Sequence, residues 1–142
     1  MVNYLEIGRQ ILASQPFSQL LGTKMDDFLE GYVQLSLPLR PELLQQYGIA
    51  HGGVICYMAD NALSFAGGSL FGLGVITSEF KINYLKKAQG DSLMAQAKVI
   101  SAGRRQAVCT CEVWAVTGEE KILCALAQGT IVTLPTATDP NR

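Results

Sequence analysis

Between Val54 and Phe71 the chain reads VICYMADNALSFAGGSLF, eighteen residues with no proline and a single charge, Asp60. The run is too long for one strand, and a helix this apolar has to be enclosed by whatever else the chain forms. Asp60 shares a helical face with Cys56 and Ser64, each four residues away, with Leu63 and Gly67 close by, and none of these is a cation. A carboxylate with no local partner in a core helix is costly unless something uses it. The plain alternative is that Asp60 and Asn61 form a small wet patch on a half-buried helix.

The segments around this helix define its enclosure. Residues 2–14 carry Leu5, Ile7, Ile11 and Leu12 at loosely helical spacing, which predicts a short N-terminal helix ending before Pro16. Tyr32 to Leu37 alternates with Val33, Leu35 and Leu37 on one face, a strand that Pro38 and Pro41 end. A loop through Gln45, Gln46, Tyr47 and Gly48 leads to His51-Gly52-Gly53 and the apolar helix, whose far end Gly67-Gly68 and Gly72-Leu73-Gly74 loosen or close.

Everything afterwards reads as strand. Ile76 to Leu85 alternates Ile76, Ser78, Phe80, Ile82 and Tyr84 against Thr77, Glu79, Lys81 and Asn83. Strands over Ser92–Ile100, Ala107–Val116 and Ile122–Leu134 follow, separated by turns at Gln89-Gly90-Asp91, Ala102-Gly103-Arg104-Arg105 and Thr117-Gly118-Glu119-Glu120. Strands grouped after one apolar helix predict an α+β fold, an antiparallel sheet wrapped over the helix. One domain over residues 1–142 is expected, with a polar, frayed tail at 136–142.

Composition narrows the function classes. Hydrophobic residues make up 49% of the chain and charged residues only 16%, a lean surface that points to a covering partner, most economically a second copy. A net charge of −1 argues against a nucleic-acid binder. No segment has the apolar length to span a bilayer, and no signal-peptide pattern opens the chain, so a cytoplasmic protein is expected. Cys56, Cys109, Cys111 and Cys124 lack CxxC spacing and His51 is the only histidine, so buried thiols are expected and no metal site.

Gly48-Ile49-Ala50-His51-Gly52-Gly53-Val54 followed by Ala59-Asp60-Asn61-Ala62 resembles the signature of hotdog-fold acyl-CoA thioesterases, closest to the phenylacetate-degradation and 4-hydroxybenzoyl-CoA thioesterase branches. Thr77 to Leu85 and Ala88 to Asp91 match the family's strand after the helix and its "GD" turn, so the resemblance runs from about Leu21 to Thr133. It implies a sheet of about five to six strands around one long central helix. It also implies an acyl-CoA substrate, coenzyme A as part of that substrate with no separate cofactor, and a homodimer with a sheet continuous across two chains, paired into a homotetramer.

Residue roles follow from the same resemblance. The Gly52 backbone N–H, at the helix N-terminus, would donate to the oxyanion formed on attack. Asp60 would be nucleophile or general base, supplied from the other subunit or from across the cleft. Gln45, or its neighbour Gln46, would orient the water or the thioester, and Ser64 would place a hydroxyl near the carboxylate. His51, Gly53, Asn61 and Ser78 would line the substrate, with His51 in a supporting role. Arg104 and Arg105, then Lys86 and Lys87, are the candidates for the coenzyme A phosphates. The apolar side chains Cys56, Tyr57, Met58, Leu63, Phe65 and Phe71 suit medium-chain or aryl acyl groups. Two other functions compete: a hotdog dehydratase using His51 and Asp60, and a non-catalytic acyl-CoA-binding domain. The histidine-glycine-glycine run, Asp60 and Gln45 together match the thioesterase pattern better.

Overall fold

The computed structural model describes residues 1–135. Helix α1 (Tyr4–Ser14) and a short helix α2 (Pro16–Leu21) lead into strands β1 (Lys24–Leu29) and β2 (Tyr32–Pro38). A 3₁₀ turn (Pro41–Leu43) precedes helix α3 (Gly52–Gly68), and β3 (Val75–Tyr84), β4 (Ser92–Ala102), β5 (Gln106–Thr117) and β6 (Glu120–Thr133) follow. The strands form one six-stranded sheet in the order β1-β2-β4-β5-β6-β3, antiparallel at every pairing. This is the hotdog arrangement, with α3 as the filling.

The helix can lie close to the sheet because both surfaces are built of small residues. Ala59, Ala62 and Ala66 of α3 are fully buried, and the sheet offers Ala95, Ala97, Ala107, Ala115, Ala125 and Ala127 on its inner face, all buried. Gly67 approaches β6 so closely that a Cβ there would lie 2.8 Å from the Cβ of Ile131. Larger side chains fill what remains: Met58 and Leu63 from α3, and Val33, Leu35, Leu37, Leu93, Val113 and Ile131 from the sheet, are fully buried. Each contributes ~1.5–3 kcal/mol by leaving water. Cys109, Cys111 and Cys124 are buried within this core, and burial pushes the Cys109 and Cys124 thiols up to about 11 and that of Cys111 to about 12. They act as small apolar residues, as their spacing suggested.

One local expectation, the strict alternation of β3, is corrected, and two elements that the sequence pattern does not announce, α2 and β1, are added. Pro16 ends α1 but also opens α2, because proline is preset for the first helical position. Strand β1 does not show simple alternation: its buried residues, Met25 and Phe28, are three apart because the pairing with β2 slips between Met25 and Asp27. In β3, a bulge skips Ser78 between the pairs Thr77–Ile131 and Glu79–Thr130. The inward set is therefore Val75, Thr77, Phe80 and Ile82, while Ile76 is 52% exposed and Ser78 is exposed. The tail at 136–142 lies outside the described residues. Among the described residues no helix is long and apolar enough to cross a membrane.

The β3–β6 seam depends on Gly129, where a Cβ would lie 2.5 Å from the Cβ of Phe80 and 2.6 Å from the Glu79 carbonyl oxygen. Gly129→Ala should therefore cost about 1–3 kcal/mol as β3 is pushed away. Urea unfolding is the check, and the loss should appear as a lower midpoint at unchanged slope.

Candidate active site

Helix α3 begins at the glycine pair, and its first turn uses its backbone donors unevenly. His51 is the N-cap (φ −63°, ψ 138°), and its Nδ1 accepts the Gly53 N–H at 2.8 Å. The His51 carbonyl accepts from Val54 at 3.0 Å and Ile55 at 3.4 Å. The phenol of Tyr84, on β3, donates to the Gly52 carbonyl at 3.0 Å. The Gly52–Gly53 peptide is thus held at both its C=O and its N–H. Of the first four N–H groups of the helix, that of Gly52 is the one without a partner among the described residues. It sits at the positive end of a 17-residue helix with no Cβ to shield it.

Two turns along, α3 turns the predicted stripe of Cys56, Asp60 and Ser64 toward β3. Thr77 Oγ1 donates to Asp60 Oδ1 at 2.6 Å and lies 2.9 Å from Ser64 Oγ. Because the threonine proton is used on the carboxylate, the serine hydroxyl donates to Thr77. The result is a chain of donors, Ser64 to Thr77 to Asp60, that fixes one carboxylate oxygen and leaves Oδ2 without a partner among the described residues. Cys56 lies against Tyr84; burial first, then the Asp60 charge, push its thiol up. Burial and Cys56 likewise push the Tyr84 phenol up.

The other predicted residues fall into separate places. Gln45 begins a tight loop: its N–H donates to the Ile49 carbonyl at 2.9 Å, and its carbonyl accepts from Gly48 at 3.0 Å. Its side-chain oxygen accepts the Tyr47 N–H, so only its amide NH₂ is left to donate outward. Gln46 is exposed and makes no such contacts. Asn61 points away from Asp60, donating to Ser18 Oγ at 3.4 Å and to the Tyr57 hydroxyl at 3.3 Å. Tyr57 in turn binds Ser18 at 2.6 Å and Thr23 at 2.7 Å, a polar knot that ties α2 to α3. Ser78, on the outside of its bulge, is not brought to Asp60; Thr77 takes that place.

The cations separate as well. Lys86 and Lys87 are exposed beside the start of α3, where the Ala50 N–H donates to the Ala88 carbonyl at 2.8 Å. Arg104 and Arg105 are also exposed, but the Arg105 carbonyl accepts from Thr133, which pairs with Val75 at the opposite end of β3. At ~3.3 Å per residue that end is about 30 Å from Tyr84. Within one chain, the lysines flank the Gly52 amide and the arginines do not.

Thr77 and Tyr84 were missed as site residues. Strict alternation assigned Thr77 to the outer face of β3, and only the bulge turns it inward. Alternation counts Tyr84 as one more inward position of β3, although its hydroxyl gives it something to donate.

These features fit an established family. The model of the thioesterase superfamily matches residues 47–122, the span that holds the glycine pair, Asp60, Thr77 and Tyr84. A protein of Archaeoglobus fulgidus whose name marks it as a candidate esterase is 32% identical, over 80% of this chain and 71% of its own. The medium/long-chain acyl-CoA thioesterase YigI of Escherichia coli is 25% identical, over 87% of this chain and 89% of its own. The crystal structure of a thioesterase family protein from Silicibacter pomeroyi superposes with a TM-score of 0.88 at 32% identity, covering 94% of this chain and 100% of that one. The chain belongs to the thioesterase superfamily.

Proposed function

We propose that the protein hydrolyses an acyl-CoA thioester to a carboxylic acid and free CoA, in a site shared between two copies of the chain. The observation that carries the reading is the single unspent N–H of Gly52, held between two fixed peptide groups at the positive end of α3. Such a donor stabilises negative charge without having to reorganise when the charge appears. The E. coli relative's activity on acyl-CoA, given by its name, supports the choice of thioester.

Asp60 supplies the attacking side. With Oδ1 held by Thr77, the free Oδ2 either takes a proton from water as that water adds to the carbonyl, or adds to the carbonyl itself. In the first route the tetrahedral oxyanion collapses, expelling CoA as a thiolate that takes up the proton. In the second, thiolate departure leaves a mixed anhydride on Asp60, which water then cleaves. The Gln45 NH₂ is a donor suited to orienting the water or the thioester oxygen. Lys86 and Lys87, beside Gly52, are placed to meet the phosphates of CoA, and Arg104 and Arg105 would serve only from another copy.

The sharing of the site follows from distance. Asp60 is eight residues beyond Gly52 in the same helix, which puts them about 12 Å apart along its axis. One carbonyl has to lie within ~3 Å of both groups. A second copy, docked along the free edge of β3, brings its own α3 alongside and removes the conflict. That edge is long and open, with Ile76 52% and Tyr84 53% exposed. Two such dimers would form the homotetramer. The dehydratase reading loses support because His51 Nδ1 is already engaged in capping α3.

Two outcomes are expected. Asp60→Asn keeps the Thr77 contact and the fold but should lower kcat on the best acyl-CoA by at least ~10²-fold. Thiol release in a steady-state assay is the measurement, and activity within a few-fold of the parent would remove Asp60 from the mechanism. Tyr84→Phe deletes one hydrogen bond worth about 1 kcal/mol, so kcat should fall about five-fold with KM little changed. A rise in KM alone would place Tyr84 in substrate binding instead.

A further inference from the structure

A pocket of about 80 Å³ opens between α1, the C-terminal half of α3 and the first residue of β3. Its walls are Ile11, Phe65, Leu73 and Val75, with the side chains of Gln15, Asn61 and Ser64 completing it. No charged residue lines it, so it does not suit the phosphates of CoA. Ser64 places it beside the attacking group: its hydroxyl ends the donor chain to Asp60, one helical turn, ~6 Å, away along the axis. A thioester carbonyl set against Asp60 Oδ2 has this pocket within reach of its acyl substituent.

We propose that this pocket receives the acyl tail and restricts the substrate to short acyl groups, with Ile11 and Gln15 as the limiting wall. The inference rests on the thioester-hydrolase reading above. Where an apolar cavity of ~150 Å³ takes up one benzene ring, one of about 80 Å³ takes up roughly three carbon groups. The wall is fixed rather than yielding. Gln15 Oε1 accepts from Ser18 at 2.6 Å, Ser18 binds Tyr57 at 2.6 Å, and Asn61 donates into the same pair. The Gln15 NH₂ and the Asn61 carbonyl oxygen have no partner among the described residues, so a longer alkyl chain would strip water from two amides without replacing it. A short tail fills the apolar part and stops before them. The segment ahead of β1, outside the matched family span of 47–122, thereby sets which acyl group is accepted.

The test is kcat/KM for straight-chain acyl-CoA esters from two to twelve carbons, followed by thiol release with the unaltered protein and with Ile11→Ala and Gln15→Ala. The unaltered protein should favour the butanoyl ester over the octanoyl ester by at least ten-fold. Either substitution should raise the octanoyl-to-butanoyl ratio by about ten-fold, since one or two methylenes of misfit carry that much discrimination. A profile of the unaltered protein that peaks at eight carbons or beyond overturns the proposal even if neither variant folds. Folded variants with the parent's profile overturn it too. Absence of hydrolysis across the whole series in the unaltered protein overturns the proposal, and absence with aryl-CoA esters as well would strike the thioesterase reading itself.

Discussion

The structure depends on how closely α3 lies against the sheet. Alanines at 59, 62 and 66 meet a sheet interior of alanines and buried cysteines, and Gly67 touches Ile131 with no room for a methyl group. That short separation lets the sheet curl around the helix and bury ten of its seventeen residues. It also confines the helix's polar residues to the one strip that is not enclosed, along β3 and the N-terminal helices. Asp60 is therefore placed at an edge of the core by the same packing that holds the fold together. Its position needs no partner cation, because Thr77 and the open side of the groove share its solvation.

The N-terminus of α3 is the second consequence. A helix entering the sheet at Tyr84 brings a phenol to its first carbonyl, and the cap residue is a histidine long enough to reach Gly53. The two nearby side chains are thus engaged elsewhere, His51 Nδ1 by the Gly53 N–H and the Tyr84 hydroxyl by the Gly52 carbonyl, and the Gly52 N–H is left without a partner among the described residues. Glycine at 52 serves this arrangement by approach rather than by unusual backbone angles: a Cβ there would meet the Tyr84 ring at 3.5 Å and narrow the way to the amide. Dynamics, packing and chemistry coincide here, since an oxyanion donor is effective in proportion to how little it moves.

Much of this was legible in the sequence, and the illegible parts have common causes. The unbroken apolar run gave α3, alternation gave β2 and β3, and the turn signals at 89–91, 102–105 and 117–120 delimited β4, β5 and β6. β1 was invisible: Met25 and Phe28 are three apart across a slip in register, which erases the alternation. The same physics misassigned Thr77 and Ser78, whose faces are exchanged by the bulge in β3. The Cys56-Asp60-Ser64 stripe was correctly read from helical spacing. Its lining by Thr77 and Tyr84, the turning away of Asn61 toward Ser18 and Tyr57, and the separation of Lys86 and Lys87 from Arg104 and Arg105 are tertiary facts that no local pattern encodes.

The claim that Gly52 offers one preorganised N–H is tested most directly by replacing that hydrogen with a carbon. Gly52 is the first residue of α3, where proline is well accepted, and His51 before it already has the extended backbone (φ −63°, ψ 138°) that a following proline requires. Gly52→Pro should fold, as judged by circular dichroism and thermal unfolding, and lose ~10²–10³-fold in kcat on the best acyl-CoA. Gly52→Ala, which keeps the N–H, should lose far less. A folded Gly52→Pro protein that turns over within a few-fold of the Gly52→Ala variant would contradict the account.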